Sequence, residues 1–443
     1  MLGEYRIEGR GAAEIAASVE RAVGAGELEP GQLLPPMREL AGELGVNPNT
    51  VAAAYRILRE RGVIETSGRR GSRVRPKPAT TGRESIRVEV PAGVRDVASG
   101  NPDRELLPSL AGVFAAAAER NDREPVMYGE AAVEPELARR ARAALDADGV
   151  PDGPLEVASG SLDVIERVLA AHLKPGDTVA VEDPGWGSLL DLIPAVGLRT
   201  APVGVDDEGP LPDDVRAALR SGARALIVTD RAQNPTGAAV TAARARALRA
   251  VLREHPDTLL IEDDHGHGIV DLPLHALAGA TRSWAFVRSA AKAYGPDLRL
   301  AVFTGDPVTV DRVRGRQSLG PGWVSRITQR AVARLWAEGA VDPKTVAAAY
   351  AARRDALIAE LARRGVPAHG RSGLNVWIPV PDETGAVARL LHAGWAVAPG
   401  ARFRLDAAPG IRVTIATLTE PETAPLAEAI AAAVGPGPGR GYV

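Results

Sequence analysis

The hydrophobic periodicity of the chain changes character near Asp96, and that change calls for two bodies of different architecture. Before it, apolar residues recur at helical spacing in short stretches broken by glycine and proline. After it, short apolar runs at 155–158, 178–182, 225–229, 258–261 and 284–287 alternate with helical stretches rich in alanine, arginine and leucine. Such alternation predicts an α/β fold: a mainly parallel sheet with helices on both faces, followed by a smaller C-terminal subdomain. Ligands of such sheets sit beyond the carboxyl ends of the strands. The expected division is 1–75 for the N-terminal module, 76–95 for an extended linker opening on Pro76-Lys77-Pro78, and 96–443 for the α/β body.

Composition removes several classes. The 443 residues, 45% of them hydrophobic, suffice for two or three domains. No cysteine is present, which excludes disulfides and thiolate metal sites and suits a reducing compartment. No apolar run approaches the roughly 18 residues that span a bilayer. The opening MLGEYRIEGR lacks the apolar centre of a signal peptide. A cytoplasmic protein without a membrane partner is therefore expected. A net charge of −3 argues against wholesale nucleic-acid coating. The charge is uneven, however: Arg56, Arg59, Arg61, Arg69, Arg70, Arg73 and Arg75 crowd one segment against only Glu60 and Glu65. One basic face on a mildly acidic module fits phosphate contact.

The first module reads helix by helix. Residues 12–25 place Ile15, Val19 and Ala22/Val23 on one face. A second helix over 38–44 follows Pro35-Pro36 and stops at Gly45. Asn47 is placed as an N-cap with Pro48 at the first helical position, where no N–H is required. The third helix continues over 50–61 with Val51, Tyr55 and Leu58 inward, and two short strands at 64–66 and 71–75 flank a tip at 67–70. Helix, helix–turn–helix and hairpin make a winged helix. It would put the start of the third helix in a major groove of double-stranded DNA, with the tip on the backbone or minor groove. A protein-interaction module or a solvated basic loop is the alternative.

The chemically suggestive residues of the α/β body fall after its strands. Ser159-Gly160-Ser161 opens a helix whose N–H groups can hold a phosphate, or is an ordinary cap. Trp186, after Asp183-Pro184-Gly185, can stack on a planar heterocycle, or fill core. Asn234-Pro235-Thr236-Gly237 is chemically a turn, although Asn234 can also donate to a phenolate oxygen. Asp263 can pair with a pyridinium nitrogen and keep a ring electron-poor; a cap or a metal ligand is the alternative. The cluster of Glu262, Asp263, Asp264, His265 and His267 lacks a helical pair of histidines, so no metal site is expected. Lys292, after Ser289-Ala290-Ala291 and seven residues before Arg299, can form a Schiff base beside a phosphate cup, or lie on the surface.

Together and in this order, these segments resemble two known families. Residues 34–62 resemble the GntR family of winged helices, and from about Asp96 to Val434 the chain resembles fold-type I aminotransferases. The first resemblance implies that Arg38, Asn47, Asn49 and Thr50 contact DNA, with Arg69 and Arg70 on phosphates. Pro48 stands where the family often has a guanine-reading arginine. The second implies a pyridoxal 5′-phosphate (PLP) cofactor. Lys292 would be the Schiff-base lysine, Asp263 the ring-nitrogen partner and Asn234 the ring-oxygen partner. Trp186 would stack on the ring, and Gly160, Ser161, Ser289 and Arg299 would form the phosphate cup. It also implies that Tyr128 reaches the cofactor phosphate of a neighbouring subunit and that Arg412 forks a substrate carboxylate. His265 stands where a tyrosine usually assists near the ring oxygen, a departure that bears on efficient transamination.

The whole chain is similar to the MocR/GabR family of regulators, and Ala98–Pro102 with Tyr128-Gly129-Glu130 resembles its PtsJ-type branch, associated with vitamin B6 salvage. The resemblance implies a head-to-tail homodimer and a transcriptional regulator that senses PLP, or an amino-compound effector, and binds an operator. A working PLP-dependent aminotransferase with an appended DNA module is the alternative. A constitutive DNA-binding scaffold is a third reading.

Overall fold

The computed structural model describes residues 7–25, 27–29, 31–60, 63–66, 71–74, 82–83, 86 and 89–434. Arg69 and Arg70, expected on phosphates, lie outside the described residues. The chain divides into two compact units. One comprises Met1–Thr81 with Leu173–Thr178 and Ile193–Arg199; the other comprises Gly82–His172, Val179–Leu192 and Thr200–Val443. The linker expected over 76–95 thus belongs to the second unit from Gly82 onward. There Arg83 pairs with Asp191 at 3.2 Å and donates to the carbonyl oxygens of Ala401 and Arg404.

The N-terminal module holds helices α1 (Ala12–Ala25), α2 (Met37–Leu44) and α3 (Pro48–Glu60), then strands β1 (Ile64–Thr66) and β2 (Ser72–Val74). Ile15, Val19, Ala22, Leu40, Val51, Tyr55, Leu58, Ile64 and Val74 form its buried core. Helix α2 stops as expected: Gly45 adopts φ 65°, a left-handed value that costs glycine little. Asn47 caps α3, its Oδ1 accepting from the Asn49 N–H at 2.9 Å. Tyr55 donates to the Pro35 carbonyl at 2.8 Å and ties α3 to the chain before α2. Strands β1 and β2 pair antiparallel, and Leu33 bridges Arg73 on the other edge of β2, a third strand position unmarked by any apolar alternation.

Beyond the N-terminal module the chain runs β3 (Arg95–Asp96), α4 (Ala111–Arg123), α5 (Pro135–Ala147), β4 (Leu155–Ala158), α6 (Ser161–His172), β5 (Thr178–Asp183), α7 (Gly187–Ala195), β6 (Arg199–Asp206) and β7 (Gly209–Pro210). Next come α8 (Pro212–Arg220), β8 (Ala223–Thr229), α9 (Ala242–Glu254), β9 (Leu259–Asp264), β10 (Ser283–Ser289), α10 (Ala291–Tyr294), β11 (Ala301–Gly305), α11 (Pro307–Gln317) and α12 (Arg326–Glu338). It closes with α13 (Pro343–Arg363), β12 (Asn375–Pro379), α14 (Glu383–His392), β13 (Trp395–Ala396), β14 (Ala398–Pro399), β15 (Gly410–Thr414) and α15 (Glu420–Val434).

The main sheet has the order β4-β11-β10-β9-β8-β5-β6-β7. Strands β8, β9 and β10 are parallel, and β11 is antiparallel to both its neighbours, so β4 points the same way as β10. The sheet is therefore mixed. Strand β11 returns through a short helical turn, because an antiparallel neighbour needs no long crossover. A smaller sheet, β12-β15-β14, packs its apolar residues with α13, α14 and α15 as the C-terminal subdomain. The parallel strands are buried on both faces: every residue of β9, including its three acids, is buried. Those acids become the floor of a cleft and its support.

Candidate functional site

Strand ends build the cleft. Strand β4 delivers Gly160 and Ser161 at the start of α6, while Trp186 follows β5 and Asn234 follows β8. Asp263 lies on β9 itself, and β10 ends at Ser289 immediately before α10 with Lys292. These residues, with His265 and Arg299, line one cleft of about 990 Å3. Nine of the residues singled out by their sequence positions thus converge on a single space.

The phosphate corner is shaped by backbone. Gly160 has φ 102°, and a Cβ there would stand 2.8 Å from the Arg299 guanidinium. Arg299 itself adopts φ 42°, a left-handed conformation that costs a non-glycine residue roughly 1–2 kcal/mol. Its guanidinium donates to the Ser159 carbonyl at 2.9 Å. The Ser161 Oγ is buried and has no hydrogen-bond partner, a polar atom in need of a ligand.

Asp263 lies on β9, three strands across the sheet from β4. Its Oδ2 lies 2.8 Å from His265 Nδ1, and its Oδ1 is buried without a partner. His265 Nε2 lies 2.9 Å from the Ala232 carbonyl oxygen, which can only accept, so Nε2 carries a proton. Burial works against a charged His265, but Asp263 overcomes it and the imidazole is held above its ordinary range. Sequence places His265 as a donor to the ring oxygen. In the structure both its nitrogens are engaged, one by Asp263, so it stands as the partner of that carboxylate.

Lys292 Nζ donates to the Gly100 carbonyl at 3.0 Å from within the cleft. Asn234 accepts at Oδ1 from Arg412 at 3.0 Å, which turns its amide donors the other way. Arg412, expected to fork a carboxylate, is buried and is not among the lining residues of the cleft. Its guanidinium donates to Asn234 and to the Ala98 carbonyl, and stacks 4.6 Å over the Phe403 ring. Tyr128 lies outside the cleft of its own chain: it is 95% exposed, its ring edge-on to Trp323 at 5.6 Å.

Two buried acid groups beneath the cleft carry no sequence signal beyond their place on the strands. Asp264, on the face of β9 opposite Asp263, accepts from Arg231 at 2.8 Å and from Arg288 at 2.9 Å. Burial would raise its carboxyl, but the two guanidiniums hold it well below the carboxylate range. Asp148, Asp264 and His267 come close enough for a shared cation, yet the arginines already balance those carboxylates. Burial pushes Glu182 and Glu262 each up to about 7, and raises Asp230, which faces Glu262.

In the winged-helix module, Arg38 on α2 is exposed, and at the start of α3 Asn47 and Asn49 are exposed and Thr50 is half-buried. Pro48 is exposed beside them.

A winged helix on an α/β unit with a lysine–aspartate cleft at the strand ends defines a two-part protein, a DNA-reader fold joined to an aminotransferase-type fold. Residues 93–430 match the family "Aminotransferase class I and II" and residues 12–74 match "Bacterial regulatory proteins, gntR family". The chain belongs to the class I and II aminotransferase family and carries a GntR domain at its N-terminal side. It is 39% identical to the vitamin B6 salvage pathway transcriptional repressor PtsJ of Salmonella typhimurium, over 95% of this chain and 98% of that one. It is 27% identical to the HTH-type pyridoxine biosynthesis transcriptional regulator PdxR of Corynebacterium glutamicum, over 75% and 74% of the two chains. A mutant aspartate aminotransferase of Thermus thermophilus superposes with a TM-score of 0.67 at 26% identity, covering 77% of this chain and 91% of that one. No helix among the described residues is long and apolar enough to cross a membrane.

Proposed function

We propose that this chain is a transcriptional regulator that reads operator DNA through its winged helix and takes PLP into the cleft as its effector. The observation that carries the reading is the pair of buried cleft atoms, Ser161 Oγ after β4 and Asp263 Oδ1 on β9, which lack hydrogen-bond partners among the described residues. One suits a phosphate and the other a pyridinium N–H, with Lys292 lining the space between them. A relative of 39% identity that is a vitamin B6 salvage repressor supports it.

When bound, PLP supplies an aldehyde able to condense with a primary amine and an electron-poor ring. Lys292 is the amine, held toward the cleft by Gly100. Of the residues lining the cleft, Arg299, Ser161, Ser289 and the Gly160 backbone would hold the phosphate, Asp263 the ring nitrogen, Asn234 the ring oxygen and Trp186 a ring face. That Arg412 is not among the residues lining the cleft favours PLP itself over an amino compound as the effector. Tyr128, exposed with Met127 beside it in sequence and in edge contact with the exposed Trp323, suits a second copy of the chain in a head-to-tail homodimer. The setting is the cytoplasm, where operator and cofactor are both present. PLP acts on DNA binding only to the extent that it binds one arrangement of the dimer better than another.

The test uses the full-length protein and a DNA fragment carrying the upstream region of its own gene, read by fluorescence anisotropy. PLP should shift the midpoint of DNA binding severalfold in the native protein and not at all in Lys292→Ala. Multiple turnovers of amino and keto acids at an enzyme-like rate would replace the regulator reading with the aminotransferase one.

A further inference from the structure

Ser372 lies in the segment that leads into β12, just before Leu374 and Asn375, which line the cleft, and far in sequence from Ala232, Asp263 and His265. It is buried, and its hydroxyl is fully committed. The Oγ accepts from the Ala232 N–H at 2.9 Å and donates to the Gly237 carbonyl at 3.0 Å. Its own N–H also donates to Gly237 at 2.8 Å. A hydroxyl has one hydrogen, and that hydrogen is spent on Gly237, so its lone pair is what holds Ala232.

Ala232 needs holding. It has φ 57°, a left-handed conformation that L-residues avoid and that persists only where the surroundings over-determine it. Three contacts do so here. Ser372 takes its N–H, and its carbonyl faces His265 Nε2 at 2.9 Å. Gly373, at φ 69°, leaves room for it, since a Cβ on Gly373 would stand 2.5 Å from that of Ala232.

The consequence reaches the site. With the Ala232 carbonyl fixed on one ring nitrogen and the Asp263 carboxylate on the other, His265 sits between two acceptors. An imidazole between two acceptors satisfies both only when both nitrogens carry protons. We propose that Ser372 is a positioning residue for the cleft: through the left-handed Ala232 peptide it holds His265 as an imidazolium against Asp263. This deepens the proposed function and rests on it for the identity of the ring that Asp263 receives. The charged groups that face His265 are Asp263, Lys292 and Glu182, and none of them contacts Ser372. Ser372 thus acts on His265, the partner of Asp263, without lining the cleft, a role that residue type and spacing do not announce.

The experiment reads His265 directly, in full-length protein labelled with 15N-histidine and without added cofactor. His265→Gln assigns the signals. In the native protein near neutral pH both ring nitrogens should resonate as imidazolium. In Ser372→Ala they should split into the neutral pattern, with the apparent pKa of His265 lower by about one unit. Ser372→Thr, which keeps the Oγ, should restore the imidazolium, and Ala232→Gly, which tolerates the left-handed turn, should leave it in place. Should Ser372→Ala fail to fold, Ser372→Cys, close in shape but a weak acceptor, carries the test. Imidazolium signals that persist in folded Ser372→Ala or Ser372→Cys overturn the proposal. Since no cofactor is present, a failure of PLP to bind would count against the proposed function alone. Added PLP should then bind Ser372→Ala roughly tenfold more weakly than the native protein.

Discussion

Arg412 donates to the Oδ1 of Asn234 at 3.0 Å while its guanidinium lies over Phe403, so the arginine serves the amide before it can serve a ligand. The bond decides which way Asn234 presents its NH2 group. Arg412→Gln and Asn234→Ala should each weaken PLP binding about tenfold, the range of one hydrogen bond to a charged group. Because both changes break the same contact, the double variant should be little worse than the weaker single one. Fluorescence titration with PLP measures all three, and simple additivity would show that the two residues act apart.

Lys292 is the amine that lines the cleft alongside Asp263. Lys292→Ala should abolish the visible absorbance that PLP gains on the native protein, while the full-length variant still binds DNA. An undiminished absorbance would remove Lys292 from this role.

The strand-end chemistry was legible because each residue follows an apolar run, and parallel strands must end on one edge. Gly160, Asn234, Asp263 and Lys292 were found in that way and line one cleft. Strand β11 was not, because its antiparallel return from β10 leaves no helix-length spacer in the sequence. The adjacent acids of β9 show a different limit. Asp263 and Asp264 look alike in sequence, but alternation along a strand sends one to the cleft and the other to Arg231 and Arg288. Ser372 was invisible for a third reason. Its contact with Ala232 spans 140 positions, and nothing in Arg371-Ser372-Gly373 marks it.

Asn47 has two duties that one substitution can separate. Its Oδ1 caps α3 through the Asn49 N–H, and its exposed position beside Pro48 suits contact with DNA. Asn47→Ala should cost the module about 1 kcal/mol, the usual loss of a cap. Asn47→Asp keeps the cap and sets a negative charge against phosphate. It should melt near the native temperature yet lose DNA affinity, by calorimetry and anisotropy respectively. Full DNA affinity in Asn47→Asp would place Asn47 off the DNA.

Glu262 gives a pH dependence with a definite sign. Burial pushes its carboxyl up to about 7, and Asp230 beside it is raised too. A carboxyl raised on folding contributes stability that is complete below its unfolded value and is lost as pH climbs through the folded one. The native protein should therefore lose stability as pH rises from about 4 to 8 on account of Glu262, by roughly 3 kcal/mol. Glu262→Gln keeps an acceptor for the Leu277 N–H and cannot ionise. It should be more stable than the native protein at pH 8 and gain nothing at pH 5, as read by urea unfolding. An equal difference at both values would mean that Glu262 does not titrate in this range.

Tyr128 separates stability from assembly. It is 95% exposed and touches its own chain through an edge contact with Trp323, so Tyr128→Phe should leave the unfolding temperature unchanged. The segment that carries it is nonetheless fixed from below. Gln329 accepts from the Glu134 N–H at 2.7 Å and donates to the Ala132 carbonyl, and Arg330 donates to the Glu124 carbonyl. A hydroxyl presented outward on a braced loop suits a second chain better than its own cleft. Loss of that hydroxyl should then weaken PLP binding severalfold only where the protein is dimeric. Titrations above and below the dimer dissociation midpoint, followed by sedimentation, make the comparison. An equal loss at both concentrations would place Tyr128 within its own subunit's site, and no loss at either would remove it from cofactor binding.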